Sequence, residues 1–205
     1  NRVMSVLKDV QKAKLAAVMM LTSPGVPFIY YGEEIGMTGT KPDEDIRRPM
    51  QWTGEDAKVG FSTSTPWRAA SNDYADVNVA AQANDPESLL SLYRTLIHLR
   101  NANPALLNGK TLLVETDSAR LYAVLRYDDT AAFLILVNSH PKPLAADQYR
   151  LMLESGPFQG TLQISSVMGP AELAVPEINA TGGFSGYVPL QEIPGQSAVI
   201  IKLVP

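Results

Sequence analysis

The chain has 205 residues, of which 45% are hydrophobic and 19% are charged, with a formal net charge of -4 and no cysteine. This length and composition are typical of one large or two small globular domains with an ordinary apolar core. Nucleic-acid binding needs clustered lysine and arginine, and a membrane span needs about 20 consecutive apolar residues. The sequence has neither feature, so it predicts neither nucleic-acid binding nor a membrane-spanning helix. The lack of cysteine excludes disulfides, thiolate nucleophiles and zinc-thiolate sites.

The first predicted element is an amphipathic helix over residues 9–22. Its apolar positions recur at largely helical spacing: Val10, Ala13, Leu15, Ala17, Val18 and Leu21. The sequence Ser23-Pro24-Gly25 ends the helix, because proline and glycine disfavour its continuation.

A short apolar segment, Val26–Tyr31, follows and is predicted to be a β-strand. It is too short for a helix and is apolar on both faces, as are strands that are buried on both sides in a parallel sheet. Gly32, Glu33 and Glu34 come directly after it, at the end of the strand where barrel enzymes place their functional groups. Adjacent residues that leave a strand point to opposite sides, so these two carboxylates are not expected to flank one scissile bond.

The segment from Gly32 to about Asp85 shows no sustained helical or strand period, and a loop of this length in a compact domain is usually functional. A second amphipathic helix is predicted from Asp85-Pro86-Glu87, where an aspartate cap precedes proline at the first helical position. It ends before Asn103-Pro104. Its apolar stripe consists of Leu89, Leu92, Tyr93, Leu96 and Leu99.

The remainder of the chain reads as short strands separated by turn residues. The predicted strands are Thr111–Glu115, Leu121–Tyr127, Ala131–Val137, Gln148–Leu153, Leu162–Val167 and Ser197–Val204. This pattern predicts a small antiparallel β-sandwich.

Three short motifs stand out along these elements. The predicted strand continues into Tyr-Tyr-Gly-Glu-Glu-Ile-Gly-Met at residues 30–37, the loop contains Asp-Ile-Arg-Arg-Pro-Met-Gln-Trp at 45–52, and the chain begins Asn-Arg-Val-Met-Ser. Together they resemble glycoside hydrolase family 13, most closely the α-amylases and α-glucosidases that lie between the oligo-1,6-glucosidases and the neopullulanases. In that family the last barrel strand commonly ends in Tyr-Tyr-Gly-x-Glu-x-Gly-Met, and Arg-x-Pro-Met-Gln-Trp lies in the loop after it.

The resemblance implies an α/β part followed by an all-β part. Residues 1–107 would form the end of a (β/α)8 TIM barrel with a long substrate-side loop, and residues 108–205 a C-terminal antiparallel β-sandwich domain. It also implies a retaining α-glucan hydrolase acting on starch or maltooligosaccharides. In the family the catalytic carboxylates lie on earlier barrel strands, so no residue here is assigned a catalytic role and the chain alone is expected to be inactive.

The expected partners are therefore an α-glucan and an N-terminal barrel portion, supplied as a second chain or by a swapped copy. Many family members bind calcium through segments that precede this part, so no metal or cofactor is predicted within this chain. The two histidines have no second ligand at metal-binding spacing. The sequence makes no prediction about the cellular compartment.

Two arginines are candidates for substrate binding by resemblance. Arg2 lies just after the position of the family's third catalytic aspartate. Arg47 matches a loop arginine that approaches the reacting glucose, and its rigid fork suits paired contacts to hydroxyls or a carboxylate. Arg48, beside it, either takes the same role or is a solvated side chain, and it departs from the threonine often found there in the family.

Gln51 and Trp52 either line the substrate cleft, where an indole stacks on a pyranose ring and an amide reads its hydroxyls, or pack the loop. Glu34 matches the family's glutamate and is predicted to be a structural rim residue, buried against an arginine that holds the loop. Aromatic residues are usually buried, so Trp67 and Tyr74 are expected to pack in the core, and so is the Tyr30-Tyr31 pair.

Two functions of other classes stay open on the sequence alone. The amino-acid-transporter heavy chains resemble this family and lack its catalysis, so a non-catalytic interaction protein is one alternative. A carbohydrate-binding protein that uses aromatic residues of the β-domain is another, although no tryptophan lies beyond Trp67.

Overall fold

The computed structural model describes residues 1–204, and residues that contact one another group into two units. The first unit contains Asn1–Ala17 and Pro27–His98, and the second contains Val18–Val26 together with the residues from Leu99 onward. Two buried arginines, described below, explain why residues 18–26 group with the later part of the chain.

All six α-helices of residues 1–204 lie before residue 108. Their bounds are Val3–Leu7 (α1), Val10–Thr22 (α2), Asp43–Ile46 (α3), Val79–Gln82 (α4), Leu89–Ala102 (α5) and Pro104–Leu107 (α6). Across the described residues, none of them is long and apolar enough to cross a membrane.

Both amphipathic helices predicted from the sequence are confirmed. α2 begins one residue later than predicted because the carboxylate of Asp9 accepts two backbone N–H groups of its first turn, at 2.8 and 3.2 Å. α5 begins at Leu89 rather than beside Asp85. Ser88 precedes that helix, and its Oγ accepts the N–H of Ser91 at 3.1 Å.

The predicted strand Val26–Tyr31 is not formed, because the segment has no regular secondary structure and pairs with no strand among residues 1–204. The prediction that it is buried on both faces is wrong, because Val26 is 78% exposed and Phe28 is 87% exposed. Tyr30 and Tyr31, expected in the core, are also exposed. A parallel strand is buried only where neighbouring strands and helices cover it, and the described residues provide no such strand.

The long loop that was predicted to start at Gly32 is confirmed. It contains only α3, α4 and a 3-10 turn at Glu33–Ile35. A buried apolar cluster of Ile35, Met37, Met50 and Leu90 joins the loop to the start of α5. The loop is therefore fixed at both ends by packing, although most of it has no regular secondary structure.

The second unit consists mainly of β-strands. Their bounds are Lys110–Leu113 (β1), Glu115–Thr116 (β2), Leu121–Tyr127 (β3), Ala132–Asn138 (β4), Leu144–Ala145 (β5), Leu151–Leu153 (β6), Gln163–Met168 (β7), Phe184–Tyr187 (β8), Glu192–Ile193 (β9) and Ser197–Val204 (β10). They form an antiparallel five-stranded sheet in the order β1-β3-β4-β10-β7, a three-stranded sheet β2-β6-β8 and a pair β5-β9.

One buried apolar cluster contains residues of both larger sheets, and this confirms the predicted antiparallel β-sandwich. Leu125, Leu134 and Ile201 come from the five-stranded sheet, and Leu151 and Phe184 from the three-stranded sheet. β3 and β10 have the bounds predicted from the sequence. Strands β5, β8 and β9 were not predicted, because two to four residues carry too little alternation to be recognised.

Arg100, in the last turn of α5, binds the C-terminal end of α2. Its Nη1 donates to the carbonyl oxygens of Leu21 and Ser23, both at 2.8 Å, and its Nη2 to that of Gly25 at 2.6 Å. A helix C-terminus carries partial negative charge and unpaired carbonyl groups, so a buried cation is favoured there. Burial nevertheless lowers the pKa of the Arg100 guanidinium.

Arg126, on β3, is a second buried cation at the same helix end. It donates to the carbonyl oxygen of Thr22 at 2.8 Å and to that of Gly109 at 3.2 Å. Burial, and secondarily the charge of Arg100, lower the pKa of its guanidinium. Within residues 1–204 neither arginine forms an ion pair with a carboxylate, so carbonyl oxygens alone compensate the two charges.

Candidate functional site

Arg2 joins three segments of the first unit. Its side chain is buried, its Nε donates to the carbonyl oxygen of Ile46 at 2.9 Å, and its Nη1 donates to that of Tyr31 at 2.6 Å. The guanidinium carbon lies 4.8 Å from the ring centres of both Tyr30 and Tyr31, within cation–π range. The backbone N–H of Arg2 donates to Gly39 at 2.9 Å. Arg2 therefore fixes the start of the chain, the end of the predicted strand and the loop at one point.

Glu33 supplies the carboxylate of this cluster. Its Oε1 lies 3.5 Å from Nη1 of Arg2, and its Oε2 accepts the N–H of Val3 at 3.1 Å. The expected pairing of an arginine with Glu34 is not found, because the neighbouring Glu33 makes this ion pair instead. One buried oxygen of Glu34 has no hydrogen-bond partner among the described residues.

The turn geometry around Gly32 selects Glu33 for the pair. Gly32 has φ +83°, in the left-handed region that favours glycine, and a Cβ atom there would overlap the side chain of Met37. The chain thus turns directly after Tyr31 into the 3-10 turn, and Glu33 returns towards the start of α1.

Burial, and secondarily the charges of Glu33 and Glu34, raise the pKa of the nearby Tyr93 to about 12.

Burial raises the pKa of Glu33 above its ordinary value of 4.5, while the N–H of Val3 and the charge of Arg2 oppose that shift. A raised carboxyl pKa means that the folded state holds the proton more tightly than the unfolded state. Stability should therefore fall as pH rises from 4.5 through the raised pKa, by at most about 1.4 kcal/mol per pH unit. We expect this decrease to be absent in Glu33→Gln, measured by denaturant unfolding between pH 4 and 8. Parallel pH profiles of the two proteins would contradict the prediction.

Asp45 organises the loop around a second ion-pair cluster. Its Oδ1 accepts hydrogen bonds from Arg48 at 2.7 Å and from Arg68 at 2.9 and 2.6 Å. The hydrogen bond from Arg68 is the largest of the influences that lower the pKa of Asp45. Sequence reasoning missed this cluster. The three-residue spacing of Asp45 and Arg48 is a recognisable helical pair, but nothing in the pattern pointed to Arg68.

The structure gives different surroundings to Arg47 and Arg48, the two loop arginines between which the sequence did not decide. Arg48 is engaged by Asp45 and also donates to the carbonyl oxygens of Ala69 and Ala70, at 3.1 and 3.0 Å. Arg47 is exposed, and its only ion pair among residues 1–204 is with Asp43, the first residue of α3, at 3.3 Å. Arg47 is therefore the more exposed of the two, whereas Arg48 is held by the loop and lines the polar cavity described below.

Gln51 and Trp52 are adjacent in sequence but have opposite environments. Gln51 is fully buried and its side-chain amide donates to the carbonyl oxygen of Val77, so the structure places it in loop packing. Trp52 is exposed, as is Trp67, for which core packing was predicted and is wrong. Tyr74 is half-buried. The aromatic residues of this loop are therefore partly available for stacking.

A polar cavity of about 390 Å³ lies in the first unit, lined by hydroxyl, carboxyl and guanidinium groups. Asp45, Arg48 and Asp73 supply its charges, and Thr38 donates to Oδ2 of Asp73 at 3.4 Å. The other oxygen of Asp73 is buried without a hydrogen-bond partner among the described residues. Within residues 1–204 no group of three or more acidic or histidine side chains could hold a metal ion.

Sequence comparison identifies the family of the first part of the chain. A family model described as the alpha amylase catalytic domain matches residues 1–109, which is more than half of the chain. The chain belongs to the α-amylase family. This α-amylase match covers Arg2, the Glu33–Ile35 turn and the whole loop with its Asp45 cluster.

Individual relatives support the same family. Alpha-amylase 3 of Dictyoglomus thermophilum is 40% identical over 117 residues, which are 56% of this chain and 23% of that protein. An oligo-1,6-glucosidase of Heyndrickxia coagulans is 28% identical over 204 residues, covering 80% of this chain and 36% of that protein. The crystal structure of an alpha-amylase from H. orenii superposes with a TM-score of 0.72 at 30% identity, covering 98% of this chain and 37% of that one.

These α-amylase relatives are all considerably longer than this chain, which spans 23% to 37% of their length. The likeness to the H. orenii enzyme runs through both units. The predicted architecture, the end of a TIM barrel followed by an antiparallel β-domain, is therefore confirmed for this member of the α-amylase family.

Proposed function

We propose that this chain is the C-terminal portion of a retaining α-glucan hydrolase that acts on starch or maltooligosaccharides. Membership of the α-amylase family, carried by the match over residues 1–109, is the observation on which the proposal rests. In this portion Arg2 holds the loop at the end of the barrel strand, and Arg47 and Trp52 contact the glucan.

The catalytic carboxylates are proposed to come from a barrel portion that lies N-terminal to Asn1. A retaining glycosidase needs a nucleophile and an acid about 5 to 5.5 Å apart across the scissile bond. Glu33 is engaged by Arg2 and by the N–H of Val3, and Asp45 is engaged by Arg48 and Arg68. Carboxylates held in this way serve to position the loop, so the chain alone is expected not to hydrolyse glucan.

The exposed segment Val26–Tyr31 supports a partner of barrel type. Its side chains are those of a strand buried on both faces, and its backbone pairs with no strand of residues 1–204. An exposed apolar segment with an unpaired backbone can pair with an added strand. The preceding barrel portion, as a second chain or through a swapped copy, would supply the strands on either side.

Activity with and without this partner tests the proposal. The chain is assayed alone on an end-blocked chromogenic maltoheptaoside, and again after co-expression with the segment that precedes the equivalent of Asn1 in the Dictyoglomus relative. We expect hydrolysis only from the co-expressed pair, which should migrate as one species in native mass spectrometry. Hydrolysis by the chain alone would overturn the proposed origin of the carboxylates.

Two matched variants distinguish loss of strand pairing from the general effect of placing a charge at an exposed apolar position. Phe28→Asp places a charge in the proposed strand and should abolish both assembly and activity. Leu113→Asp changes a comparably exposed side chain, 74% exposed against 87% for Phe28, but lies on β1 of the second unit. It should leave assembly intact. Equal effects of the two variants would count against barrel completion by Val26–Tyr31.

A further inference from the structure

The short helix α3 carries Arg47 at its C-terminal end and has no apolar support of its own. It has four residues, Asp43–Ile46, and none of them is buried. Arg47 caps this helix, and its backbone N–H donates to the carbonyl oxygen of Asp43 at 3.1 Å. So short a helix is not stable by itself in water. The position of Arg47 therefore depends on the contacts that α3 makes with other segments of the first unit.

The polar cavity of about 390 Å³ adjoins α3. Asp45 of the helix and Arg48, just after its cap, line the cavity together with Ser71 and Asp73 from the later part of the loop. Interlocked side chains of a packed core resist displacement, whereas a cavity leaves room into which a helix can shift. Hydrogen bonds and ion pairs, rather than packing, must hold α3 on this side.

Asp45 joins α3 to the later part of the loop. Its Oδ1 accepts hydrogen bonds from Arg48 at 2.7 Å and from Arg68 at 2.9 and 2.6 Å. Arg48 also donates to the carbonyl oxygens of Ala69 and Ala70. These contacts form a closed ring between two segments that lie 21 to 23 residues apart in sequence. Hydrogen bonds between charged groups are stronger than neutral ones, so this ring is the main connection between the two segments.

Two further hydrogen bonds fix the backbone on either side of Arg47. Nε of Arg2 donates to the carbonyl oxygen of Ile46 at 2.9 Å, and the hydroxyl of Tyr31 donates to that of Arg48 at 2.9 Å. The side chain of Arg47 itself is 62% exposed. Its backbone is thus held through its neighbours, while its guanidinium lies at the surface.

Loss of the Asp45 carboxylate would break the ring at its common atom, because both arginines donate to the same oxygen. Neither Arg48 nor Arg68 has another carboxylate within ion-pair distance among residues 1–204. The two cations would then repel each other without compensation. Only Arg2 and Tyr31 would still hold α3, at the end of the predicted strand, and the helix could shift towards the cavity.

We propose that Asp45 is a positioning residue for Arg47. It fixes α3 against residues 68–70 and so sets the place from which the Arg47 guanidinium contacts the glucan. That contact with the glucan rests on the proposed function. The placement of Arg47 by Asp45 does not, because it depends only on contacts within the first unit. Asp45 acts through Arg47 and contacts no substrate itself.

Hydrogen exchange of the complete chain, without any partner, tests the placement. In Asp45→Ala the backbone amide of Arg47 should exchange at least about tenfold faster than in the wild type, because the charged hydrogen bonds that hold α3 are lost. Asp45→Asn keeps the accepting oxygen but not the charge, and should lie between the two. Exchange along α5 should stay unchanged in every variant, which shows that the rest of the unit remains folded.

The matched control is Asp76→Ala. Asp76 is an exposed carboxylate of the same loop that forms no ion pair among residues 1–204. Its removal changes the charge of the loop by the same amount as Asp45→Ala. It should leave the exchange of the Arg47 amide unchanged.

A double-mutant cycle with Arg47→Ala tests whether Asp45 acts through that residue. The co-expressed pair described above is assayed on the same chromogenic maltoheptaoside. Asp45→Ala should raise KM at least about fivefold and change kcat less than about twofold, as expected when a binding contact is lost. In the Arg47→Ala background the same change should alter KM less than about twofold, because the contact is already absent. General loosening of the loop would instead add its effect to that of Arg47→Ala.

The two experiments separate this proposal from the proposed function. Unchanged exchange of the Arg47 amide in Asp45→Ala, or equal acceleration in Asp76→Ala, would overturn the placement. Additive effects on KM, or a fall in kcat alone, would overturn a role through Arg47. Faster exchange in Asp45→Ala together with no hydrolysis by the co-expressed pair would support the placement and remove the proposed function. Hydrolysis by a pair whose Asp45→Ala variant exchanges like the wild type would do the reverse.

Discussion

Replacing Arg126 by methionine is expected to lower the free energy of unfolding by about 2 to 4 kcal/mol. The guanidinium donates to the carbonyl oxygens of Thr22 and Gly109, and methionine cannot replace either hydrogen bond. A buried acceptor that loses its partner costs roughly 1 to 3 kcal/mol, and here two are affected.

Two effects oppose this loss. Methionine is free of the desolvation cost of a buried cation, and it removes the repulsion that lowers the pKa of Arg126 beside Arg100. Buried ions have been replaced by apolar residues without loss of stability where every partner was replaced too. The backbone carbonyls cannot be replaced, and one of them belongs to the helix end that concentrates partial negative charge. The unpaired carbonyls should therefore outweigh the relief of desolvation.

Denaturant unfolding followed by far-UV circular dichroism measures the difference. Arg126→Lys keeps the charge but not the planar fork, and it should lie between the wild type and Arg126→Met. Lys202→Met is the matched control. It removes a half-exposed cation from β10 of the same sheet, 5.7 Å from the ring of Phe133, and should cost no more than about 1 kcal/mol. An Arg126→Met protein as stable as the control would show that desolvation dominates at this position.

The β-domain could be predicted well from the sequence because its strands supply one another's partners. Two of its predicted strands are apolar or alternately apolar segments bounded by turn residues: Leu121–Tyr127 and Ser197–Val204. Both strands pair with β4 in the structure. Val26–Tyr31 has an equally clear strand pattern and was mispredicted as buried. An apolar pattern shows that a segment is suited to a buried position. The segment is buried only where neighbouring strands and helices cover it.

Single residues of the candidate site were also harder to predict from the sequence than the position of the site itself. The motif at residues 30–37 located the site, but it did not distinguish Glu33 from Glu34 as the partner of Arg2, since a glycine-controlled turn decides this. Average burial of aromatics predicted a buried Trp67, whereas Trp67 is 70% exposed beside Arg68, which pairs with Asp45. The conformation of one turn matters in the first case and a contact between Asp45 and Arg68, 23 residues apart, in the second, and the apolar pattern carries information about neither.

Replacing Arg2 by methionine is expected to lower the free energy of unfolding by about 3 to 5 kcal/mol, the range for removing one partner of a buried ion pair. The change leaves the carbonyl oxygens of Tyr31 and Ile46 without their donors and leaves Glu33 buried without its cation. Tryptophan emission follows the transition, because Trp52 and Trp67 both lie in the first unit with Arg2. Arg2→Lys should recover the charge but not the paired contacts to the two carbonyls.

A double-mutant cycle with Glu33→Gln isolates the ionic part of this loss. Residues in direct contact usually show coupling energies of about 0.5 to 3 kcal/mol, so Arg2→Met should cost less in the Glu33→Gln background than in the wild type. The pH dependence of the free energy of unfolding provides a second, independent test of the ion pair. The charge of Arg2 lowers the pKa of Glu33, so its removal should raise that pKa further. The range over which stability falls with rising pH should then extend upward in Arg2→Met. Additive stability losses with an unchanged pH range would mean that Arg2 acts through its carbonyl contacts alone and that Glu33 is held by the N–H of Val3.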